Sequence, residues 1–301
     1  MEASPPVSTV NATAALEGAG LRIQLAPFVC NIRSRLPVVA AGVAAMYADY
    51  PVARTDYADF YVSVDAPRGI RRFVKPQCVF DFDGVRPFYP LPSAQAYALL
   101  EWGLNWSIGN HAHRYLILHA GMMARGEAAV VLPGNPGSGK STLCAGLMLS
   151  GYRLLSDELT LITGNGIDLH PSVRPISLKN QSIDVVRGLS AGAVLTVPAR
   201  DTAKGTVAHL RPAPESVRDA TRLARARLVV FPKFQAGART ELRRLDKAAA
   251  FMQLVDAAFN YHLLGEDGFE RLRALIDSVD CYAIEYGDMD EALRRIDELL
   301  A

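Results

Sequence analysis

Apolar positions recur along this chain with two periods, and the places where the period changes divide it into elements. Leu21 to Ile32 reads as a strand broken at Pro27. Val38 to Tyr50 is alanine-rich and helical, with Pro51 as its stop. Phe60 to Val64 alternates as a strand does, and so does Gln77 to Phe82. Asp83-Gly84 then carries hairpin chemistry ahead of Val85 to Phe88. Ser93 caps a helix expected through Trp106.

Tyr115 to Leu118 opens a second region, followed by the apolar run Ala128 to Leu132. Thr142 to Leu149 reads as a helix, with Gly151 placed for a left-handed C-terminal stop. Arg153 to Ser156 is a short strand. Leu159 to Thr163 and Ile167 to Leu169 form a hairpin around Gly164-Asn165-Gly166. Ala213 to Arg227 reads as a helix with its arginines toward solvent, and Leu228 to Phe231 as a buried strand ended by Pro232. Helices over Lys247 to Leu264 and Gly268 to Ser278 and a strand over Cys281 to Tyr286 follow. A last helix is capped by Asp288 with Glu291. The pattern predicts an α/β chain in three parts: a flexible arm of small residues over 1–20, a smaller α+β domain over 21–112, and a larger α/β domain over 113–301.

Composition narrows the partners. The 301 residues carry a net charge of +1 and are half hydrophobic, so no polyanion-binding surface and no nucleic-acid partner are expected. The cysteines at 30, 78, 144 and 281 are scattered without a C-x-x-C pair and read as buried thiols of a reducing compartment. No apolar stretch approaches the roughly 18 residues of a membrane span, and the first twenty residues do not read as a signal peptide. A cytoplasmic protein without a membrane partner is the expectation; self-association is left open.

The candidate chemistry lies in the second region. Gly134-Asn135-Pro136-Gly137-Ser138-Gly139-Lys140-Ser141 spells G-x-x-x-x-G-K-S between a strand and a helix, the pattern of a P-loop phosphate cradle. Glycines present bare N–H groups, and the helix start running into Thr142 adds unpaired donors and a positive dipole end. Lys140 is placed for the β/γ-phosphates of ATP and Ser141 for Mg²⁺. Asp157-Glu158 follows the next strand, where one carboxylate can ligate the metal and one can accept a proton. Mutual repulsion is expected to raise one pKa, which suits a base. His119 closes the strand before the cradle and is placed to orient a carboxylate or touch phosphate. Arg174 and Lys179 are candidates for neutralising phosphate, the segment Thr202 to Thr206 for a mobile cover, and Lys233 for a strand end facing the site. Trp102 and Trp106 read as core or interface rather than as a platform for a base.

Leu118-His119, Gly134 to Thr142 and Gly151-Tyr152-Arg153-Leu154-Leu155-Ser156-Asp157-Glu158 together resemble the HPr kinase/phosphorylase superfamily, and within it the HprK-related kinase A family. The resemblance implies a P-loop kinase domain of the HPr kinase/phosphoenolpyruvate carboxykinase type, using ATP and Mg²⁺. It gives His119 the active-site histidine position, Lys140 the P-loop lysine, Ser141 and Asp157 the metal, and Glu158 the proton acceptor. Glu158 stands where the family has Asp, and Ser172 stands near the family's glutamate metal ligand. The family's C-terminal segment that grips HPr has no counterpart, so HPr is not expected as substrate. Kinship implies a peptide or small-protein substrate carrying a serine, and a PqqD-like peptide chaperone beside it. A small-molecule kinase and a non-catalytic ATP sensor remain the alternatives.

Overall fold

The computed structural model of the chain describes residues 4–300, which form a mixed α/β architecture of three sheets. The expected strand at Leu21 to Ile32 becomes two, Leu21–Leu25 and Phe28–Arg33, paired antiparallel around the cis Ala26–Pro27 peptide. Phe60–Asp65 joins Phe28–Arg33 in parallel, and Gln77–Phe82 and Leu91–Pro92 complete the first sheet antiparallel. Helices Pro37–Met46 and Ala96–His111 cover this sheet and bury Val39, Val43, Met46, Leu99, Leu100 and Leu104. Each such side chain contributes about 1.5–3 kcal/mol on burial.

Residues 4–20 are not a loose arm. Ala12–Glu17 is a helix whose cap, Asn11, accepts the Ala14 N–H at 3.1 Å, and Val7 and Leu16 are buried beside it. A capping Asn ahead of an alanine run is enough to start a helix when one face meets a core. Residues 1–3 of the expected arm lie outside the described residues.

The largest sheet is organised around Leu116–Arg125. It pairs antiparallel with Ala128–Pro133 on one edge, and with both Leu159–Ile162 and Arg153–Ser156 on the other. Ala128–Pro133 runs parallel to Ala224–Phe234, which runs parallel to Asp280–Tyr286, with Glu241–Arg244 antiparallel at the end. Asp168–His170 pairs with both Leu159–Ile162 and Ala224–Phe234, joining the strands into a closed ring.

Strand alternation places the site. Leu116, Leu118, Ala120, Met122 and Ala124 enter one core, shared with helices Lys247–Asp256 and Glu266–Ser278. Ile117 and Met123 enter the other, shared with helix Lys140–Leu149. By the two-residue period His119 and Gly121 lie on the second face, under that helix.

The helix expected over Ala213 to Arg227 is only Pro214–Arg218; from Ala224 the chain is a strand. Ala224 and Ala226 are buried while Arg225 and Arg227 are exposed, a two-residue alternation that solvent-facing arginines disguised as a helical face. A bulge between Ala226 and Leu228 then moves the even-numbered positions to the opposite core. A third sheet, Ile176–Lys179, Gly205–Leu210 and Ala199–Thr202, packs against helices Lys140–Leu149 and Ala96–His111. All four cysteines are buried and free. Among the described residues no helix is long and apolar enough to cross a membrane.

Candidate active site

Strand Ala128–Pro133 runs into the glycine-rich turn, and the turn into helix Lys140–Leu149. Gly137 and Gly139 hold φ of 90° and 88°, a region that L side chains avoid. A Cβ on Gly139 would meet Tyr286 Oη at 2.7 Å and Phe234 Cβ at 2.8 Å, so that side of the turn is walled; around Gly137 there is open space. Within the turn the Ser138 N–H donates to Asn135 O at 3.0 Å, and the first helical bond runs from Leu143 N–H to Gly139 O at 2.9 Å. The N–H groups of Lys140, Ser141 and Thr142 therefore precede the helical ladder. Thr142 spends its hydroxyl on Ser182 Oγ at 2.8 Å.

Lys140 is only 7% exposed, yet its Nζ has no hydrogen-bond partner, and neither has the buried Ser138 Oγ. Burying an ammonium without a partner is costly, and a phosphate satisfies both groups. The residues present fit a nucleotide polyphosphate.

The acids approach from the neighbouring strand. A Cβ on Gly121 would lie 2.5 Å from Cys144 Sγ and 3.7 Å from Lys140 Cγ, so the helix rests directly on the strand two residues from His119. Ser156 Oγ accepts the N–H of Glu158 at 3.3 Å and of Leu159 at 2.9 Å, folding the chain into the tight turn that presents Asp157 and Glu158. His119 Nε2 and Glu158 Oε2 are 2.9 Å apart, each partly exposed. Asp157 is deeper, 3% exposed, and its Oδ2 accepts the Ser177 N–H at 3.0 Å.

Burial, then the charge of Glu158, pushes the Asp157 carboxyl from 3.8 up to about 7. Burial works the same way on Glu158, but there the His119 hydrogen bond and the charges of Lys140, His119 and Lys179 prevail and hold it well below the usual carboxylate range. The two pKa values are split, but burial first and only then repulsion raises Asp157, and the His119 hydrogen bond and nearby cations lower Glu158. The raised member, however, is Asp157 and not the acid assigned the base role.

Linkage gives the sign of the pH effect. An acid whose folded pKa exceeds its unfolded value ionises first in the unfolded chain, so its contribution to stability falls as pH rises from 3.8 to about 7. Urea midpoints of the wild type should therefore drop across that window relative to Asp157→Asn. Parallel curves for the two proteins would refute the raised carboxyl.

Other candidates are placed differently from expectation. Arg174 is committed to a buried ion pair, 4% exposed with its Nη1 3.7 Å from Glu101 Oε2 and its Nη2 bonding Asn105, while its charge still lowers the Asp157 pKa. Lys233 is also spoken for, donating to Glu285 Oε2 at 2.8 Å on the surface. Lys179 remains partly exposed, and its charge reaches Glu158.

The segment Thr202 to Thr206 is the tip of a tied hairpin rather than a mobile cover. Gln95 Nε2 donates to the carbonyls of Arg200 and Asp201 at 3.0 and 3.1 Å, and Asn180 Oδ1 accepts the Thr206 N–H at 3.0 Å. This tip brings Lys204, which the sequence offered only as part of the cover segment, into range of Glu158. Its pKa is lowered by partial burial and by the charges of Lys179 and Lys140, with Glu158 opposing. Its Nζ sits 5.2 Å from the Trp102 ring centroid. Trp106 packs among Phe82, Phe88 and His111, as expected of a core residue. A lysine after a Thr-Ala turn carries no motif; only the pairing of Ile176–Lys179 with Gly205–Leu210 reveals it.

No protein-family model matches the chain, and no curated protein does. Among solved structures the chain is similar to the Hpr(Ser) kinase/phosphatase from Coxiella burnetii, at 15% identity and a TM-score of 0.30, over 61% of this chain and 96% of that one. A likeness this distant assigns no family, and the functional reading rests on the geometry above.

Proposed function

We propose that the chain is an ATP- and Mg²⁺-dependent P-loop kinase of the HPr kinase/phosphoenolpyruvate carboxykinase type, phosphorylating a serine hydroxyl on a peptide or small protein. One observation carries this reading: the buried, unpartnered Lys140 lies close enough for its charge to act on both the buried Asp157 and the Glu158 that meets His119 at 2.9 Å. A nucleotide sensor needs the turn and its lysine. It has no use for an adjacent acid pair of which one member is kept ionised by an imidazole.

In this reading Lys140 and the N–H groups at the helix start hold the phosphates. Ser141 and Asp157 hold Mg²⁺. Bound there, Mg²⁺ neutralises phosphate charge. Glu158, ionised, accepts the hydrogen bond of the substrate hydroxyl and takes its proton as the serine oxygen bonds the γ-phosphorus and the bond to the bridging oxygen of ADP breaks. His119 fixes the orientation of the carboxylate, and Lys179 with Lys204 balances charge on the open side. The family resemblance adds a PqqD-like peptide chaperone as the protein that presents the substrate.

Calorimetric titration with Mg-ATP provides the first check. Lys140→Ala should weaken binding about tenfold to a hundredfold, the worth of charge-assisted phosphate contacts. Absence of Mg-ATP binding by the wild type would overturn the reading. Labelled ATP with candidate peptides and metabolites then separates a peptide kinase from a small-molecule kinase by where the label goes.

A further inference from the structure

The loop joining Phe60–Asp65 to Gln77–Phe82 lies outside the candidate active site and carries chemistry of its own. Residues 66–76 read Ala-Pro-Arg-Gly-Ile-Arg-Arg-Phe-Val-Lys-Pro, with four cations and no acid. Every residue from Arg68 to Pro76 is exposed, and the apolar ones strongly so: Ile70 by 72%, Phe73 by 77% and Val74 by 53%. Gly69, at φ 93°, turns the chain into a single helical turn, Ile70–Arg72. The N–H groups of Phe73 and Val74 both donate to Ile70 O at 2.9 Å, which gathers the three apolar side chains on one projecting turn. Among the described residues none of the four cations is held in an ion pair, and Asp81 pairs instead with Arg86 at 3.3 Å.

We infer that this loop docks the protein onto an anionic lipid surface, with Ile70, Phe73 and Val74 entering the interface and Arg68, Arg71, Arg72 and Lys75 meeting lipid phosphates. Stable peripheral binding needs both an apolar insertion and a basic patch, and the loop supplies the two together. Long cationic side chains reach phosphate while their stems lie along apolar surface. Four cations set among three exposed apolar side chains match the negative headgroups and apolar interior of an anionic lipid surface. The expectation of no membrane partner came from the lack of a spanning helix, and this mode needs none. The inference is independent of the nucleotide chemistry.

Co-sedimentation of the full chain with vesicles tests it. The wild type should bind phosphatidylcholine vesicles containing phosphatidylglycerol, should ignore pure phosphatidylcholine, and should come off as salt rises. Arg71→Gln with Arg72→Gln should lower vesicle affinity about thirtyfold, and the corresponding pair of Lys substitutions should retain most of it. Phe73→Ser should weaken binding with thermal unfolding unchanged, since the side chain leaves no core. Equal binding to neutral vesicles, no binding at low salt, or an unaffected double Gln variant would overturn the inference. So would arginine-dependent capture of an acidic peptide by a protein that ignores the vesicles.

Discussion

Replacing Glu158 with Gln is expected to lower single-turnover phosphoryl transfer by about a hundredfold to ten-thousandfold, the usual worth of a positioned proton acceptor. Mg-ATP affinity should stay within a few-fold of wild type. The substitution keeps the size of the side chain and its contact with His119 Nε2, 2.9 Å away, but replaces the carboxylate that takes the hydroxyl proton with a non-basic amide. Asp157→Asn should behave differently, because Asp157 is the deeper acid, held by the Ser177 N–H, and the proposed reading gives it the metal. Its loss should weaken the Mg²⁺ dependence of nucleotide binding as well as transfer. Transfer by Glu158→Gln at near the wild-type rate would remove this residue from the base role, and equal defects in both variants would merge the two roles.

Glu101→Ala is the largest stability effect expected, a loss of about 3–5 kcal/mol in urea unfolding. Glu101 and Arg174 are 3% and 4% exposed, and their charges are 3.7 Å apart. Tyr47 and Tyr97 donate their hydroxyls to the same carboxylate oxygen at 2.8 and 2.7 Å. Burial, opposed by Arg174 and those hydroxyls, lifts the Glu101 pKa. Truncation would strand a buried guanidinium and leave two phenols without an acceptor, and that asymmetry makes the cost large. A loss below about 1 kcal/mol, typical of an exposed pair, would mean the cluster is not dry. The pair also joins helix Ala96–His111 to the segment leading into Ile176–Lys179, whose Ser177 holds Asp157. Damage there should therefore spread to the acids.

How far the sequence could be read follows from the range of the interactions involved. The glycine turn, its strand and its helix were legible because their chemistry is local: eight adjacent residues determine backbone conformation and donor placement. Asp157 and Glu158 were legible for a similar reason, coming just after the helix at a strand end. His119 was picked out as closing a strand, yet it lies within Leu116–Arg125, and its contact with Glu158 spans 39 positions. Arg174 was misplaced because its partners, Glu101 and Asn105, lie some seventy positions away and no spacing announces them. Lys204 was read only as part of a cover segment, because its place beside Glu158 arises only when Ile176–Lys179 and Gly205–Leu210 pair. At Ala224 to Arg227 the error was one of period: four residues of alternating Ala and Arg fit a polar helix face as readily as a strand edge, and only burial on the sheet decides.

The bulge at Ala226 and Leu228 has a consequence for how this chain can change over time. Downstream of it the same strand delivers Phe234, whose N–H bonds Ser138 O at 2.9 Å and whose Cβ walls Gly139. Removing one residue there, or adding one, would invert every later side chain and offer the wrong surface to the turn. Insertions and deletions between 224 and 234 should thus be as poorly tolerated as loss of a reactive group, although no reactive group lies there.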